Sequence, residues 1–412
     1  VSKSLLLASP GTSKANAVVF AGIGCSNVDQ QTNGTVEADM KYRVRAPGTV
    51  RNLCVRTAAT TAGGITVLSR KNGANGNLTV TINTSSSGFF SDTVNADTLA
   101  AGDDFCWSWN DTNGQPATIT AEFDPTGAQV SFLESVSGGA SGAGEAITTA
   151  SSTRYQSFGG AVCGSADIIT TEANVQSKMR AAGTASHLQA FVHANARTTT
   201  TTINYRKGGV IGAQVLTIGS TASGLFEDTT HTDAVASGDL ISAGVVTLTG
   251  TASLALSRVG ILITSNNESI DLIGQTGFPP GAGANFYTYI GGRSTGGGTM
   301  LTTESGARAQ VPFPASFKNM RCYVQGTQES SPGTLKFRKN AAAALQTVTL
   351  TAATSGWFED VTNTDTLNAL DDCDLAFTYG GGANGPFISS LGVTMVGPVT
   401  VQGGQGRMFA AF

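Results

Sequence analysis

The sequence predicts an all-β protein made of three tandem β-sandwich, jelly-roll-like domains. Composition gives the first indication: 40% of the 412 residues are hydrophobic, enough for packed cores, while charged residues reach only 13%, about half the usual share. The second is the abundance of Thr, Ser and Ala with 52 Gly, since branched Thr suits a pleated surface and Gly supplies the backbone angles of tight turns. The third is a stretch that returns. SGFFSDTVNADTLAAGD begins at Ser87, SGLFEDTTHTDAVASGD at Ser223 and SGWFEDVTNTDTLNALD at Ser355.

The repeat extends upstream without a gap to Arg70-Lys71, Arg206-Lys207 and Arg338-Lys339, pairs that recur at intervals of 136 and 132 residues. Further back, APGTVRNLCV around Leu53 corresponds to AAGTASHLQAFV around Leu188 and FPASFKNMRCYV around Met320. FAGIGCSNVD from Phe20 is matched to FGGAVCGSAD from Phe158, and more loosely to YIGGRSTGGG from Tyr289. Between the copies lie SVSGGASGAGEAITTAS and GQTGFPPGAGANF, whose Gly, Ser and Pro content reads as linkers. The expected domains are therefore residues 1–140, 141–272 and 273–412, the last with a Gly-rich C-terminal tail.

Each element follows from a period of two. Val67, Ile203 and Leu335 share parity with Ser69, Tyr205 and Phe337 and are expected in the core, with Arg70, Arg206 and Arg338 on the outer face. The next strand points Val80 and Ile82, Leu216 and Ile218, and Val348 and Leu350 inward, and KNGANGN closes the hairpin in the first copy. Phe90, Phe226 and Phe358, with neighbours Phe89, Leu225 and Trp357, are expected to anchor a strand in the core. No amphipathic helix is predicted.

The recurring aspartates then need a role. Asp92, Asp97 and Asp103, like Asp228, Asp233, Asp239 and Asp360, Asp365, Asp371, sit where turns are expected, and an Asp carboxylate holds a turn by accepting backbone N–H bonds. Calcium at Asp92, Asp97 and Asp103 is the alternative, although their spacing lacks the dense acidic alternation of an EF-hand. Catalytic machinery is not expected: the only histidines, His187, His193 and His231, all belong to the middle copy, and there is no phosphate loop, dinucleotide fingerprint or zinc spacing. No cofactor is implied.

A net charge of −4 without any basic run argues against nucleic acid as a partner. VSKSLLLASPGTSK offers only four consecutive apolar residues, too few for a secretory core or a membrane span. The six cysteines are distributed three, one and two over the copies. Cys54 and Cys106 share outward parity and Cys322 and Cys373 share inward parity, which suggests two intradomain disulfides, against the alternative of six reduced thiols. Cys25 and Cys163 are left over in loops as candidates for bonds to another chain.

At this point VRNLCVRTAATTAGGITVLSRKNGANGNLTVTINTSSSGFFSDTVNADTLAAGD resembles a β-domain recurrent in virion proteins of tailed bacteriophages. The resemblance rests on a strand ending in Arg-Lys-Asn-Gly, a Thr-rich strand, and a turn with Phe-x-Asp-Thr, Asn and Ala-Gly-Asp. It implies a structural part of the virion exterior, such as a collar, decoration or fibre protein, assembled in the host cytoplasm and contacting itself and other capsid, neck or tail proteins. It implies no catalytic residue; a homo-oligomer and no membrane partner are also expected. A receptor- or glycan-binding fibre is the competing reading, with Trp107, Trp109 and Trp357 as candidate stacking residues that nevertheless have core parity or core alignment. The outline is also similar to trimeric jelly rolls of the tumour-necrosis-factor type, so a pseudo-trimer and a linear rod both stay open.

Overall fold

A computed structural model of the chain describes residues 3–8, 17–23, 35–57, 63–111, 116–136, 145–159, 168–250, 252–266, 268–274, 285–290, 300–326, 331–378 and 387–397. The protein is all-β, and its strands fall into three units of two facing antiparallel sheets. The first unit holds β1 (Ser4–Ala8), β2 (Ala17–Ala21), β3 (Tyr42–Arg43), β4 (Gly48–Thr57), β5 (Ile65–Lys71), β6 (Ala74–Ile82), β7 (Gly88–Leu99), β8 (Asp104–Asp111) and β9 (Thr118–Pro125). Its sheets run β1-β9-β4-β7 and β2-β8-β5-β6.

The second unit holds β10 (Val130–Val136), β11 (Glu145–Ile147), β12 (Ser152–Gln156), β13 (Ser177–Lys178), β14 (Gly183–Asn195), β15 (Thr201–Lys207), β16 (Val210–Ile218), β17 (Gly224–Glu227), β18 (Thr232–Val235), β19 (Leu240–Thr247) and β20 (Leu254–Ser265). The third holds β21 (Ser269–Gly274), β22 (Asn285–Thr288), β23 (Ala309–Gln310), β24 (Ala315–Gly326), β25 (Gly333–Lys339), β26 (Ala342–Leu350), β27 (Gly356–Leu367), β28 (Asp372–Thr378) and β29 (Phe387–Val396). Both repeat the strand order of the first.

The unit boundaries differ from those expected at 140/141 and 272/273. β10 pairs with β20 along Val130–Val136, and β21 pairs with β29 along Ser269–Gly274, so each opens the unit that follows it. In sequence the Gly- and Ser-rich stretches follow β10 and β21 and lie largely outside the described residues, whereas β10 begins at Val130, soon after β9 ends at Pro125, and β21 at Ser269, soon after β20 ends at Ser265. Gly, Ser and Pro content is the sequence signal of a linker, and it is strongest one strand beyond the actual crossings.

Side-chain alternation places the core as expected. Val67, Ile203 and Leu335 are fully buried, and Leu216, Ile218, Val348 and Leu350 lie in the same interiors. Each interior also takes side chains from a neighbouring unit. The first core includes Val130, Phe132 and Leu262 of the second unit, the second includes Ile273 of the third, and the third includes Leu5 and Leu7 of the first. The three units therefore close into a ring in which each touches both others, and of the two arrangements left open by the sequence the pseudo-trimer is the one formed.

One short helix escaped the sequence reading, α1 (Glu37–Met40), matched by single 3-10 turns at Glu172–Asn174 and Glu304–Gly306. Four residues and three residues are too short to leave a 3.6-residue period. Among the described residues no helix is long and apolar enough to cross a membrane.

Candidate functional site

The recurring aspartates tie one sheet to the other. Asp92 accepts from Thr79 N on β6 and from Val94 N and Asn95 N on its own strand, at 3.0, 3.1 and 3.0 Å. Asp228 does the same for Val215, Thr230 and His231, and Asp360 for Thr347, Thr362 and Asn363. Asp97, Asp233 and Asp365 accept from the next amides back along β6, β16 and β26. Asp103, Asp239 and Asp371 close the last turn through Ala100, Ala236 and Asn368. Burial opposes ionisation, but the donated bonds outweigh it and hold the carboxyls of Asp92, Asp228 and Asp360 below the usual range, Asp360 at about 2. The oxygens proposed as calcium ligands at Asp92, Asp97 and Asp103 are thus engaged with N–H and O–H donors.

The outward arginines form a second repeated device. Arg70, Arg206 and Arg338 pair with Glu37, Glu172 and Glu304 at 2.9, 2.8 and 2.7 Å. They lie over the rings of Phe20, Tyr155 and Tyr287, at 5.8, 5.2 and 5.8 Å from the centroid. The strand registers make those three aromatics equivalent, because each sits beside the strand that pairs with its arginine. The matching of Phe20 with Phe158 is therefore corrected by three residues: Phe158 aligns with Ile23, where sequence similarity between the copies is thin.

A third device lies at the seams between units. One residue of β4, β14 or β24 faces the neighbouring unit: Cys54, Gln189 or Arg321. Its cross-strand neighbour is Thr120, Gly260 or Gly392. Where the side chain is long the neighbour is glycine, since a Cβ at Gly260 would fall 2.8 Å from the Tyr42 ring and one at Gly392 would fall 3.0 Å from the Arg321 guanidinium. Gln189 accepts from Arg43 N at 3.2 Å and donates to Arg43 O at 3.1 Å, and Arg321 donates to Lys178 O at 2.6 Å. At the seam between the third and first units Cys54 is too short, and Thr120 donates to Gln310 O at 2.6 Å instead. Arg45 pairs with Glu227, and Arg180 with Glu359, but the equivalent places at the third-to-first seam are Pro312 and Ser91.

Buried charge is paired at these seams. Arg321 and Asp271, with side chains 1% and 0% exposed, meet at 2.7 Å, and Asp271 also accepts from Arg180 N and Ala181 N. Arg258 meets Glu134 at 3.2 Å, and buried Glu122 holds Lys3 at 2.8 Å and Arg51 at 2.7 Å. His193 rests on buried Asp39 at 2.9 Å across the first-to-second seam, while His231 is bonded to Asp228 within its own turn.

The expected disulfides are not formed. Cys54, Cys106, Cys322 and Cys373 are free, buried thiols. Cys54 and Cys106 stand on opposite sheets and point outward on both, Cys54 toward the third unit and Cys106 against Phe20 and Met40. Cys322 and Cys373 do share the third core, but from facing sheets, whose spacing of about 10 Å exceeds the reach of a disulfide. Burial pushes the thiols of Cys54 and Cys322 up to about 12, and that of Cys373 up as well. Cys25 and Cys163 lie outside the described residues.

Trp107 and Trp109 are buried in the first core. Trp357 departs from its expected place: Phe358 packs on the core, so Trp357, its neighbour along the strand, faces outward. There it meets Tyr323 at 5.4 Å and Lys178 of the second unit at 5.7 Å. Phe89 does the equivalent at the third-to-first seam, over Arg56 at 4.5 Å. A cleft of about 280 Å³ on the outer face of the first unit is lined by Val18, Phe20, Leu68 and Asn110 among others.

No protein-family model matches the chain, and no curated protein does. Among solved structures it is similar to the crystal structure of dimeric latent PorU from Porphyromonas gingivalis, at 10% identity and a TM-score of 0.24. The match covers 86% of this chain and 34% of that one, so the chain spans about a third of that protein's length.

Proposed function

We propose that the chain is a non-enzymatic structural protein of the exterior of a phage particle, making repeated contacts with itself and with neighbouring virion proteins. The observation that carries this reading is that the repeated charged groups are directed at the protein's own architecture. The aspartates hold turns, the arginines clasp short helical segments, and the buried ion pairs join the units. The resemblance of the repeat to phage β-domains supplies the location.

The outward strands support contacts that differ between units. β16 exposes Ile211 and Val215, and β26 exposes Leu345, whereas the matching positions on β6 are Asn75, Thr79 and Asn77. The first unit instead exposes Val18 on β2, so one scaffold carries three outer surfaces with apolar side chains at different places, as a part that meets different neighbours requires.

The test is a non-reducing and a reducing gel of purified particles, with bands identified by mass spectrometry. The chain is expected at a fixed stoichiometry in particles, and reductant-sensitive heavier bands would place Cys25 or Cys163 in bonds to named neighbours. Absence from washed particles defeats the proposal. Stoichiometric presence together with saturable binding on a glycan array moves the reading to a receptor-binding fibre.

A further inference from the structure

The position that follows each clasping arginine across the ladder differs among the units. Arg70 lies opposite Cys106, Arg206 opposite Ser242 and Arg338 opposite Asp374. In the second unit the Ser242 hydroxyl donates to Glu172 at 2.8 Å, and in the first the Cys106 thiol points to Glu37 at 4.0 Å. The geometry of the repeat therefore asks for a hydrogen-bond donor to the glutamate. Asp374 fills that place only if it carries a proton.

Its surroundings agree. Asp374 is fully buried, and neither carboxyl oxygen has a donor within hydrogen-bond reach. Arg338 Nε stands 3.8 Å away, with both forks of its guanidinium given to Glu304 at 2.7 and 3.1 Å. The other charged groups around it are Asp372, which is held by Arg308 at 3.1 Å, Lys336 on the outer face of β25, and Arg56 from the first unit. The Tyr287 ring lies under the Arg338 guanidinium. Burial, then the Glu304 charge, raises the Asp374 carboxyl to about 8.

The turn that carries Glu304 also reaches across a seam. Arg56 of the first unit donates to Ser305 O, and Thr118 donates to Arg308 O at 3.0 Å. We propose that Asp374 is kept as a neutral carboxylic acid donating to Glu304, and that its ionisation releases the Glu304–Gly306 turn and loosens the seam between the third and first units. The proton leaves to solvent base, and two carboxylates then face one another across one arginine. This is the seam that lacks the Arg45–Glu227 type of ion pair and that no peptide bond crosses, so it is the place where the ring opens first.

The pseudo-symmetry supplies the control. Amide hydrogen exchange of the full chain, corrected for the intrinsic rate, is followed from about pH 6 to 9.5. Protection at Gly306 and Ala307, which bond to Thr303 O and Glu304 O, is expected to fall about tenfold between pH 7 and 9. Asn174 and Val175, their counterparts in the second unit, keep theirs, and Asp374→Asn keeps protection in both. Because the folded carboxyl titrates above the unfolded one, the wild type's stability relative to Asp374→Asn is full below the ordinary aspartate range. It falls by up to about tenfold in the folding equilibrium per pH unit until about 8, then levels. Equal exchange at the two turns, or the same loss in Asp374→Asn, overturns the proposal. Asp374→Ser copies the donor of the second unit, and failure of both variants to fold overturns it as well, since a neutral donor is all the position should need.

Discussion

A carboxylate that accepts three backbone amides is a structural part with its own pH signature. Asp360 takes bonds from Thr347 N, Thr362 N and Asn363 N at 2.8, 3.1 and 3.0 Å, plus one from the Asn363 side chain at 2.9 Å. Replacing it with Ala strands those donors at the join of β26 and β27, and urea unfolding is expected to report a loss of about 2–4 kcal/mol. Its folded carboxyl lies below the unfolded value, at about 2. That contribution is therefore complete above the ordinary aspartate range and is lost as pH falls toward 2; an acid limb unchanged in Asp360→Ala would refute the assignment. These aspartates were legible because one spacing occurs three times. Asp374 was not singled out, although it stands three residues beyond the last aspartate of the motif, where Cys106 and Ser242 stand in the other copies. Only the arginine and glutamate brought around it by folding give that place a meaning. Trp357 was misassigned because a pair of neighbouring aromatics does not say which of the two faces in, and a strand sends them to opposite sides.

At the scale of elements, β4, β14 and β24 each carry a bulge two residues before the seam position. Asn52, His187 and Asn319 sit there at φ of 53, 54 and 54°, and the pairing register shifts at each. The left-handed backbone turns the next residues so that Leu53, Leu188 and Met320 enter the core and the following side chain meets the neighbouring unit. Asn319→Val places a branched Cβ in that conformation and should cost about 1–3 kcal/mol, while Asn319→Gly should be near neutral; thermal denaturation separates the two, and equal costs would mean that the side chain and not the backbone decides. Strand parity was readable along β5 and β6 and their counterparts, since burial of alternate residues there is written in residue type. The bulge was hidden because Asn and His are common in loops, and the unit boundaries were misplaced because a glycine-rich stretch of sequence is more conspicuous than a short crossing such as 126–129.

For the whole molecule, the seams decide whether the units behave as one body. The second-to-third seam rests on Arg321 and Asp271, both buried. Arg321→Ala leaves Asp271 charged and unpaired and is expected to cost about 3–5 kcal/mol, whereas Asp271→Leu with Arg321→Met recovers most of it, because Leu5 already fills the place of Asp271 in the first unit. Cooperativity follows from the shared interiors. Leu5 and Leu7 belong to the third core, Val130 and Phe132 to the first, and Ile273 to the second. A large apolar side chain is worth about 1.5–3 kcal/mol when fully buried, so unfolding one unit strips stabilisation from both neighbours. Calorimetry at neutral pH should therefore give one transition, with the measured enthalpy close to the van't Hoff value for the whole chain. Independent units of similar size would give a ratio of about three, or separate peaks, and that result would reduce the ring to three beads on a string. At pH above the Asp374 transition the two alternatives diverge further: loosening the third-to-first seam should split the single peak in the wild type and leave it single in Asp374→Asn, because only a ring can lose cooperativity by opening at one joint.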